Sequence, residues 1–424
     1  MTRVAVSRGV LDWALQRSSL TRDDLRKKFP KIDEWVAGTT NPTVKQLEEF
    51  SRKTMTPFGY LLLPEPPTDE LPIPEFRTLD DEGTPGHVSP NLLDTVQAML
   101  RRQDWMREFL VENGQPRLPF IGSAASDEDP AKIAEDIRRT LGVERLWASR
   151  LRTWTDAIRV LKDLAEAAGV LVVVNGIVGN NTWRKLDPTE FRGFVLSDEY
   201  APLIFVNGAD AKGAQIFTFA HELAHLWFAK SAAFDLRALQ PADDRIERIC
   251  NWVAAEFLLP REELLHSWPL VAESPEPFQE LAKRFKVSSL VAARRALDIG
   301  VIGRAAFFEF YEAYLVDERR KKVSDESTGG HYYINQDYRV GHKFGSAVIR
   351  ATLEGRLLYR EAYRLTDLGP GAFDKYAAHL GIGPSDEPSA RLSARRKRLH
   401  RGEESLLRLR HLPRLLAVAV MEPR

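Results

Sequence analysis

The sequence has few of the features that mark secreted, fibrous or membrane proteins. One cysteine, Cys250, stands in 424 residues, which excludes an intrachain disulfide framework and favours a reducing compartment. The most apolar late run, Leu415 to Met421, is far shorter than the roughly 20 residues that a membrane span needs. Charges at Arg3, Arg8 and Asp12 interrupt the N-terminus, so no export signal is expected. We therefore expect a cytoplasmic protein that does not enter membranes.

The chain also lacks an excess of charge of one sign. Lys plus Arg and Asp plus Glu both total 60, so whole-chain charge does not direct the protein toward nucleic acid or anionic lipid. Hydrophobic residues make up 44% and charged residues 28%, proportions typical of a globular protein rather than a disordered one. Because 424 residues exceed what one hydrophobic core usually supports, several domains are expected.

Residues 1–63 predict a small all-α domain. Thr21 is placed to cap one helix, Gly38 to end the next, and Pro42 with Thr43 to open a third. This spacing resembles the helix-turn-helix segment of phage-repressor-like regulators. The resemblance implies either an operator-binding domain or a domain that docks a partner protein.

Two features of this segment bear on DNA binding. Phe29-Pro30 falls where the turn and the start of a full recognition helix should be. Lys31 is the one basic residue expected on that presumed recognition helix, although DNA readers use several. The sequence therefore favours a packing or partner-docking role for residues 1–63, and DNA binding stays open as the alternative.

The middle of the chain combines helical and strand patterns. Ser89-Pro90 and Asp129-Pro130 each predict a helix start, followed by apolar residues at helical spacing. A later helical pattern ends at Gly169, and the β-branched run 170–174 predicts a strand. Apolar runs at 194–196 and 203–206 predict a hairpin, which we interpret as the edge strand for a peptide substrate.

The chemistry-bearing motif is His221-Glu222-Leu223-Ala224-His225. A spacing of four puts both imidazoles on one face of a helix. There, two neutral ring nitrogens are able to approach a tetrahedral Zn²⁺ at about 2.0–2.1 Å, leaving room for a third ligand and a water. Glu222 is then the expected catalytic base, which takes a proton from water and passes it to the leaving amine.

A third ligand must come from elsewhere, and the helical segment 245–258 offers Glu247. Asn251, one turn later on the same face, is placed to accept a hydrogen bond from a zinc-bound histidine. For Cys250, a buried apolar role is favoured over a ligand or redox role. The alternatives for the third ligand within sequence reach are Glu256, Asp243, Asp244 and His266.

The metzincin pattern does not fit, because it needs Gly and His where this chain has Phe228 and Ser231. Instead, three linked segments resemble the ImmA/IrrE-type metallopeptidases: GFVLSDEYAPLIFVN, FTFAHELAHLWF and ERICNWVAAEFLLP. The resemblance implies zinc bound by His221, His225 and Glu247, with Glu222 catalytic. It also implies, as substrate, a helix-turn-helix transcriptional repressor in stress response or mobile-element control, and in longer members a toxin partner.

The predicted fold is therefore α+β, with a zincin-like metallopeptidase core that combines a small sheet and motif helices. A degenerate helix-turn-helix-like helical domain precedes this core.

Possible oxyanion donors are left unassigned because a packing role is favoured for each of them: His331, Tyr332, Tyr333 and His342. The expected segments are the helical domain 1–63, a Pro-rich linker 64–87, a helical connector 88–149, the metallopeptidase domain 150–300, an extension 301–383 like that of longer family members, and a basic, disordered tail 384–424.

The sequence leaves two readings of function. The preferred one is a zinc-dependent endopeptidase that hydrolyses a peptide bond in a protein substrate. The other is a regulatory binding protein, an antitoxin or DNA-binding repressor, in which zinc is structural. The basic residues at 395–398 favour a solvated charge run over phosphate binding.

Overall fold

The computed structural model describes residues 2–18, 20–67, 88–229, 232–234, 245–316 and 332–383. Most of the predicted linker and the whole basic tail lie outside these residues. None of the described helices is long and apolar enough to cross a membrane. The helices are α1 Arg8–Arg17, α2 Arg22–Lys28, α3 Ile32–Val36, α4 Val44–Thr54, α5 Pro90–Glu112, α6 Pro130–Leu141, α7 Trp154–Ala168, α8 Lys212–Trp227, α9 Arg245–Leu258, α10 Arg261–Val271, α11 Pro277–Phe285, α12 Ser289–Asp298, α13 Arg304–Val316, α14 Tyr332–Arg339, α15 His342–Leu353, α16 Tyr359–Thr366 and α17 Pro370–His379.

The first four helices and a 3₁₀ turn at Phe58–Leu62 surround a hydrophobic cluster of their own. Thr21 caps α2 by accepting from the Asp24 amide, and Thr43 forms a capping box at the start of α4. Gly38, at φ 72°, follows α3 in the left-handed conformation that ends helices. The helix boundaries expected around these three residues are confirmed.

Six strands lie in the described residues: β1 Leu171–Asn175, β2 Ile177–Val178, β3 Asn181–Lys185, β4 Gly193–Leu196, β5 Leu203–Asn207 and β6 Ala232–Phe234. Four of them form one sheet in the order β1-β5-β4-β6. In that sheet β1 and β5 are parallel, whereas β4 is antiparallel to both β5 and β6. The two remaining strands, β2 and β3, form a separate antiparallel pair.

The hairpin predicted at 194–206 is present, but its predicted edge position is wrong. Leu196 pairs with Leu203 in the β4–β5 hairpin. Gly193, at the other end of β4, faces Phe234 of β6. Both hairpin strands therefore have neighbours on each side, since β1 covers β5 and β6 covers β4. The strand that covers β4 is three residues long and carries too little periodic signal to predict.

Successive side chains of each strand point to opposite faces of the sheet. Helices pack against both faces, so both are buried. Val172, Val195 and Ile204 join the core formed with α6, α7, α8 and α9. Residues from the other face, such as Val173 and Phe205, join a second core with α5 and α15 to α17. Fully buried strands explain the near-continuous hydrophobic runs in the sequence. The α+β fold class is confirmed.

Helix α5 connects the sheet to the C-terminal helices through buried polar side chains. The guanidinium of Arg102, 3% exposed, donates to the carbonyl oxygens of Leu365 and Arg339, each at 2.8 Å. The neighbouring Gln103 amide donates to the carbonyl oxygen of Leu196 at 2.8 Å, at the end of β4. Because buried donors must be paired, these bonds select one arrangement of α5, the sheet and α14 to α16.

Candidate metal centre

Helix α8 contains the motif His221 to His225 and lies in the interior of the protein. Every side chain from Gln215 to Trp227 is buried, which explains the all-round apolar character of the segment. The Gln215 amide donates to the carbonyl oxygens of Gly208 and Asp210. This contact connects the first turn of α8 to the loop after β5, and so orients the helix across the sheet.

Helix α9 is held against α8 by arginines from two other helices. Arg138 of α6 donates to the carbonyl oxygens of Glu256 and Phe257, at 3.1 and 3.2 Å. Arg295 of α12 donates to the Leu259 carbonyl and pairs with the Glu256 carboxylate. These contacts satisfy carbonyl oxygens that a helix end leaves unpaired. With its C-terminal end held this way, α9 presents its first turn to the motif histidines.

The predicted ligand residues converge on one point. The Nε2 atoms of His221 and His225 are 3.0 Å apart. Each lies 3.2 Å from an oxygen of the Glu247 carboxylate. Potential ligand atoms of the three residues all lie within 4.8 Å of one another, and no other such group occurs in the described residues. The structure therefore brings together three residues from two helices that are distant in sequence.

Asn251 sets the orientation of the first histidine. Its Oδ1 lies 3.1 Å from Nδ1 of His221. An amide oxygen only accepts, so this bond selects the tautomer with its proton on Nδ1. Nε2 then points a lone pair at the oxygen of Glu247. The structure places Asn251 where the sequence predicts a partner for the ligand imidazole.

The donor set fits a divalent metal ion. Ligand atoms of a tetrahedral zinc site with bonds of about 2.0–2.1 Å lie about 3.3 Å apart, close to the 3.0 and 3.2 Å found here. Lone pairs of His221 and of the Glu247 carboxylate facing each other at such distances repel unless a cation lies between them. The chemistry and spacing of the three side chains therefore match a zinc-type centre.

The electrostatics of the histidines and the ligand carboxylate agree with this fit. Burial lowers the pKa of His221 below its usual range, which favours the neutral ring that metals bind. Burial raises the pKa of Glu247, but its close contacts with the imidazoles of His221 and His225 outweigh that effect and bring the pKa well below its usual range. A neutral imidazole beside an ionised carboxylate is the protonation pattern of a metal-ligand set.

Glu222 lies beside the three ligand residues and is fully buried. Neither of its carboxylate oxygens has a hydrogen-bond partner among the described residues. Burial, and secondarily the negative charge of Glu247, raise the pKa of Glu222 well above its usual range. A carboxyl group that binds a proton more readily near neutral pH is suited to general acid and base catalysis.

A glycine on the sheet allows α8 to approach β4 closely beside this carboxylate. A Cβ on Gly193 would lie 3.4 Å from Oε1 of Glu222 and only 2.5 Å from Cγ2 of Thr218. The sequence carries no signal for this role, because a glycine at the start of a short strand is ordinary. The contact depends on how α8 crosses β4, which only the tertiary structure determines.

The other candidate ligands are not part of the cluster. Glu256 pairs with Arg295, and His266 lies on the exposed side of α10. Cys250 is buried within α9, as expected of an apolar side chain. His342 begins α15 and is not among the converging ligands. The remaining candidates, or their side chains, lie outside the described residues: Asp243, Asp244, His331, Tyr332 and Tyr333.

Comparison with known families agrees with this geometry. Residues 165–297 match the peptidase M78 family model, described as an IrrE N-terminal-like domain. This range includes β1, the β4–β5 hairpin, α8 and α9, and therefore all residues of the cluster. Residues 165–297 thus match the ImmA/IrrE-type family that the sequence resembles, which confirms the resemblance for this segment and not for residues 1–63. Residues 340–379 match a model described as a domain of unknown function. Among curated proteins, none matches the chain.

Proposed function

We propose that this protein is a zinc-dependent endopeptidase that hydrolyses a peptide bond in a protein substrate. The observation that carries the proposal is the convergence of His221, His225 and Glu247, whose potential ligand atoms lie within 4.8 Å of one another. The buried carboxylate of Glu222 next to them supports hydrolysis over a purely structural zinc site. A structural site usually has four protein ligands and needs no adjacent base.

In this proposal His221, His225 and Glu247 hold the metal, and Asn251 keeps the His221 ring in the metal-binding tautomer. Bound zinc supplies Lewis acidity, which polarises a peptide carbonyl and lowers the pKa of water. Glu222 accepts the proton of the attacking water at its carboxylate and donates it to the leaving amine. Its burial supports both transfers, because a raised pKa brings its two protonation states closer in free energy near neutral pH.

The substrate that we propose is a helix-turn-helix transcriptional regulator, as the family resemblance implies. Cleavage of such a regulator would act in stress response, mobile-element control or a toxin-antitoxin pair. Chemistry at the metal centre does not select among these, since function within a family depends on residues outside the catalytic set.

We assign residues 1–63 to partner docking rather than to reading DNA. Helix α3, which occupies the position of a recognition helix, is five residues long and carries Asp33 and Glu34 in its first turn. Asp33 engages Arg26 at 2.8 Å and Arg22 at 3.3 Å. Carboxylates at this position repel phosphate and occupy nearby cations that DNA contacts would need.

The metal content of the purified protein tests the proposed centre. We expect about one zinc per chain in the wild type and in Glu222→Gln, and none in His221→Ala, which removes a ligand. Inductively coupled plasma mass spectrometry measures all three. A His221→Ala protein that keeps its zinc would show that the metal is bound elsewhere.

Cleavage assays on a panel of purified helix-turn-helix regulators then test the reaction. We expect the wild type to cut a regulator at one site, and Glu222→Gln to lose this activity while keeping zinc, because the base is missing. Mass spectrometry of the fragments identifies the bond. Equal biological effect of wild type and Glu222→Gln would instead support a regulatory binding protein with structural zinc.

A further inference from the structure

Thr218 differs from other buried helical threonines of this protein in what its hydroxyl does. Such a threonine ordinarily donates to the carbonyl oxygen four residues earlier. The hydroxyl of Thr54 donates to Phe50, that of Thr352 to Val348 and that of Thr366 to Ala362. Thr218 is equally buried, at 0% exposure, yet its Oγ1 has no partner within the described part of the chain. Its hydroxyl is therefore free to bind another group.

The nearest unsatisfied polar group on the same helix face is the Glu222 carboxylate. Thr218 and Glu222 are four residues apart on α8, so their Cβ atoms lie about 5–6 Å apart. Both point to β4, because a Cβ on Gly193 would meet Cγ2 of Thr218 at 2.5 Å and Oε1 of Glu222 at 3.4 Å. The unpartnered hydroxyl and the two unpartnered carboxylate oxygens thus belong to neighbouring side chains of one helix that both lie against Gly193.

Three such atoms without partners would destabilise the fold, since each buried polar group has lost its hydrogen bonds to water and gained none in the protein. We propose that Thr218 is a positioning residue for Glu222. The hydroxyl of Thr218 donates to the carboxylate, directly or through a buried water. This inference rests on the proposed function, in which Glu222 is the base, and it adds a group that holds that base in its reactive orientation.

Three variants separate this role from a structural one. Thr218→Val keeps the shape and removes the hydroxyl, Thr218→Ser keeps the hydroxyl, and Thr352→Val is a matched control in which a bonded hydroxyl is removed. We expect Thr218→Val to lower the unfolding temperature less than Thr352→Val does, because the hydroxyl of Thr218 bonds to the Glu222 carboxylate and not to the backbone of its own helix. We expect Thr352→Val to unfold at a lower temperature. A Thr218→Val protein that is destabilised like the control would show that the hydroxyl serves the fold.

Crystal structures of the wild type and Thr218→Val test the bond between Thr218 and Glu222 without reference to activity. The expected wild-type structure shows Oγ1 of Thr218 bonded to the Glu222 carboxylate or to a water that also contacts it. In Thr218→Val that water is displaced or loses a partner, and the carboxylate turns. A hydroxyl that donates to the carbonyl oxygen of Ala214, with no water near Glu222, would overturn the proposal.

Kinetics on a cleaved substrate give the remaining readout. We expect Thr218→Val to lose about 10- to 100-fold in kcat, the effect of one hydrogen bond to a charged group, with KM nearly unchanged. Thr218→Ser should restore most of kcat, and zinc content should stay equal throughout. Wild-type kcat in Thr218→Val, with zinc bound, would refute the positioning role alone. A wild type no more active than Glu222→Gln would instead refute the proposed function, and the crystal structures would still decide how Thr218 bonds.

Discussion

At the scale of single residues, the candidate metal centre depends on side chains other than the three that could hold the ion. Asn251 accepts from His221 Nδ1 at 3.1 Å, and this bond aims the lone pair on the other ring nitrogen at the ligand cluster. Without the bond, the ring has two tautomers and more than one rotamer, and metal binding must select one of each. A residue next to a ligand therefore contributes to affinity through the orientation it imposes.

We expect Asn251→Ala to bind zinc about 10- to 100-fold more weakly than the wild type, the usual cost of losing a partner of a ligand histidine. Titration against a chelator of known affinity measures the change. Arg248→Ala is the matched control, because Arg248 lies on the exposed side of the same helix. Equal zinc affinity in Asn251→Ala and the control would show that the His221 ring is oriented by packing alone.

At the scale of elements, the site depends on the fixed position of α9 relative to α8. The residues that hold α9 lie at its far end, where Arg138 donates to the carbonyl oxygens of Glu256 and Phe257. Arg138 is 3% exposed, so removing it leaves buried carbonyl oxygens without a donor and a void between α6 and α9. Both effects destabilise the fold.

We expect Arg138→Ala to lower the free energy of unfolding by about 2–4 kcal/mol, through unsatisfied carbonyl oxygens and lost packing. The neighbouring Arg139 pairs with Asp136 at the surface, and its side chain is 73% exposed. Arg139→Ala should therefore cost less than about 0.5 kcal/mol. Urea denaturation followed by circular dichroism compares them. Equal losses in the two variants would contradict a role for Arg138 in holding α9.

At the scale of the whole molecule, the family-matched segment is only part of one packed body. Helices α15 to α17 cover the sheet face opposite the candidate metal centre, through residues such as Phe344 and Phe373. Arg102 and Gln103 of α5 tie these helices to the sheet. Without the C-terminal helices, the apolar side chains of Val173 and Phe205 on that face would lose much of their cover. Large exposed apolar patches cause association.

We therefore expect a chain ending at residue 316 to aggregate, to bind a hydrophobic dye and to lack a cooperative thermal transition. A chain ending at residue 383 keeps α15 to α17 and should unfold cooperatively, so it is the control. Size-exclusion chromatography, dye fluorescence and calorimetry distinguish the two. A monomeric shorter chain with the same transition temperature as the control would show that the C-terminal helices are dispensable for the core.

Local rules account for the parts of this protein that the sequence predicts well. Caps at Thr21 and Thr43, and the stop at Gly38, depend on contacts within four residues. The placement of His221 and His225 on one helix face depends only on the helical repeat. The edge position of the β4–β5 hairpin was predicted wrongly, because strand neighbours are chosen by long-range pairing that short apolar runs do not encode.

By itself, the sequence determined the motif helix, the identity of its two imidazoles and the carboxylate between them, since each follows from local spacing and composition. The sequence offered Glu247 as the third ligand beside alternatives such as Glu256 and His266, and the tertiary structure decided that Glu247 meets those imidazoles. It also decided that Gly193 lies against Thr218 and Glu222. The physical reason is that both contacts arise where α8 crosses α9 and β4, and packing across the whole core sets the angles and distances of those crossings.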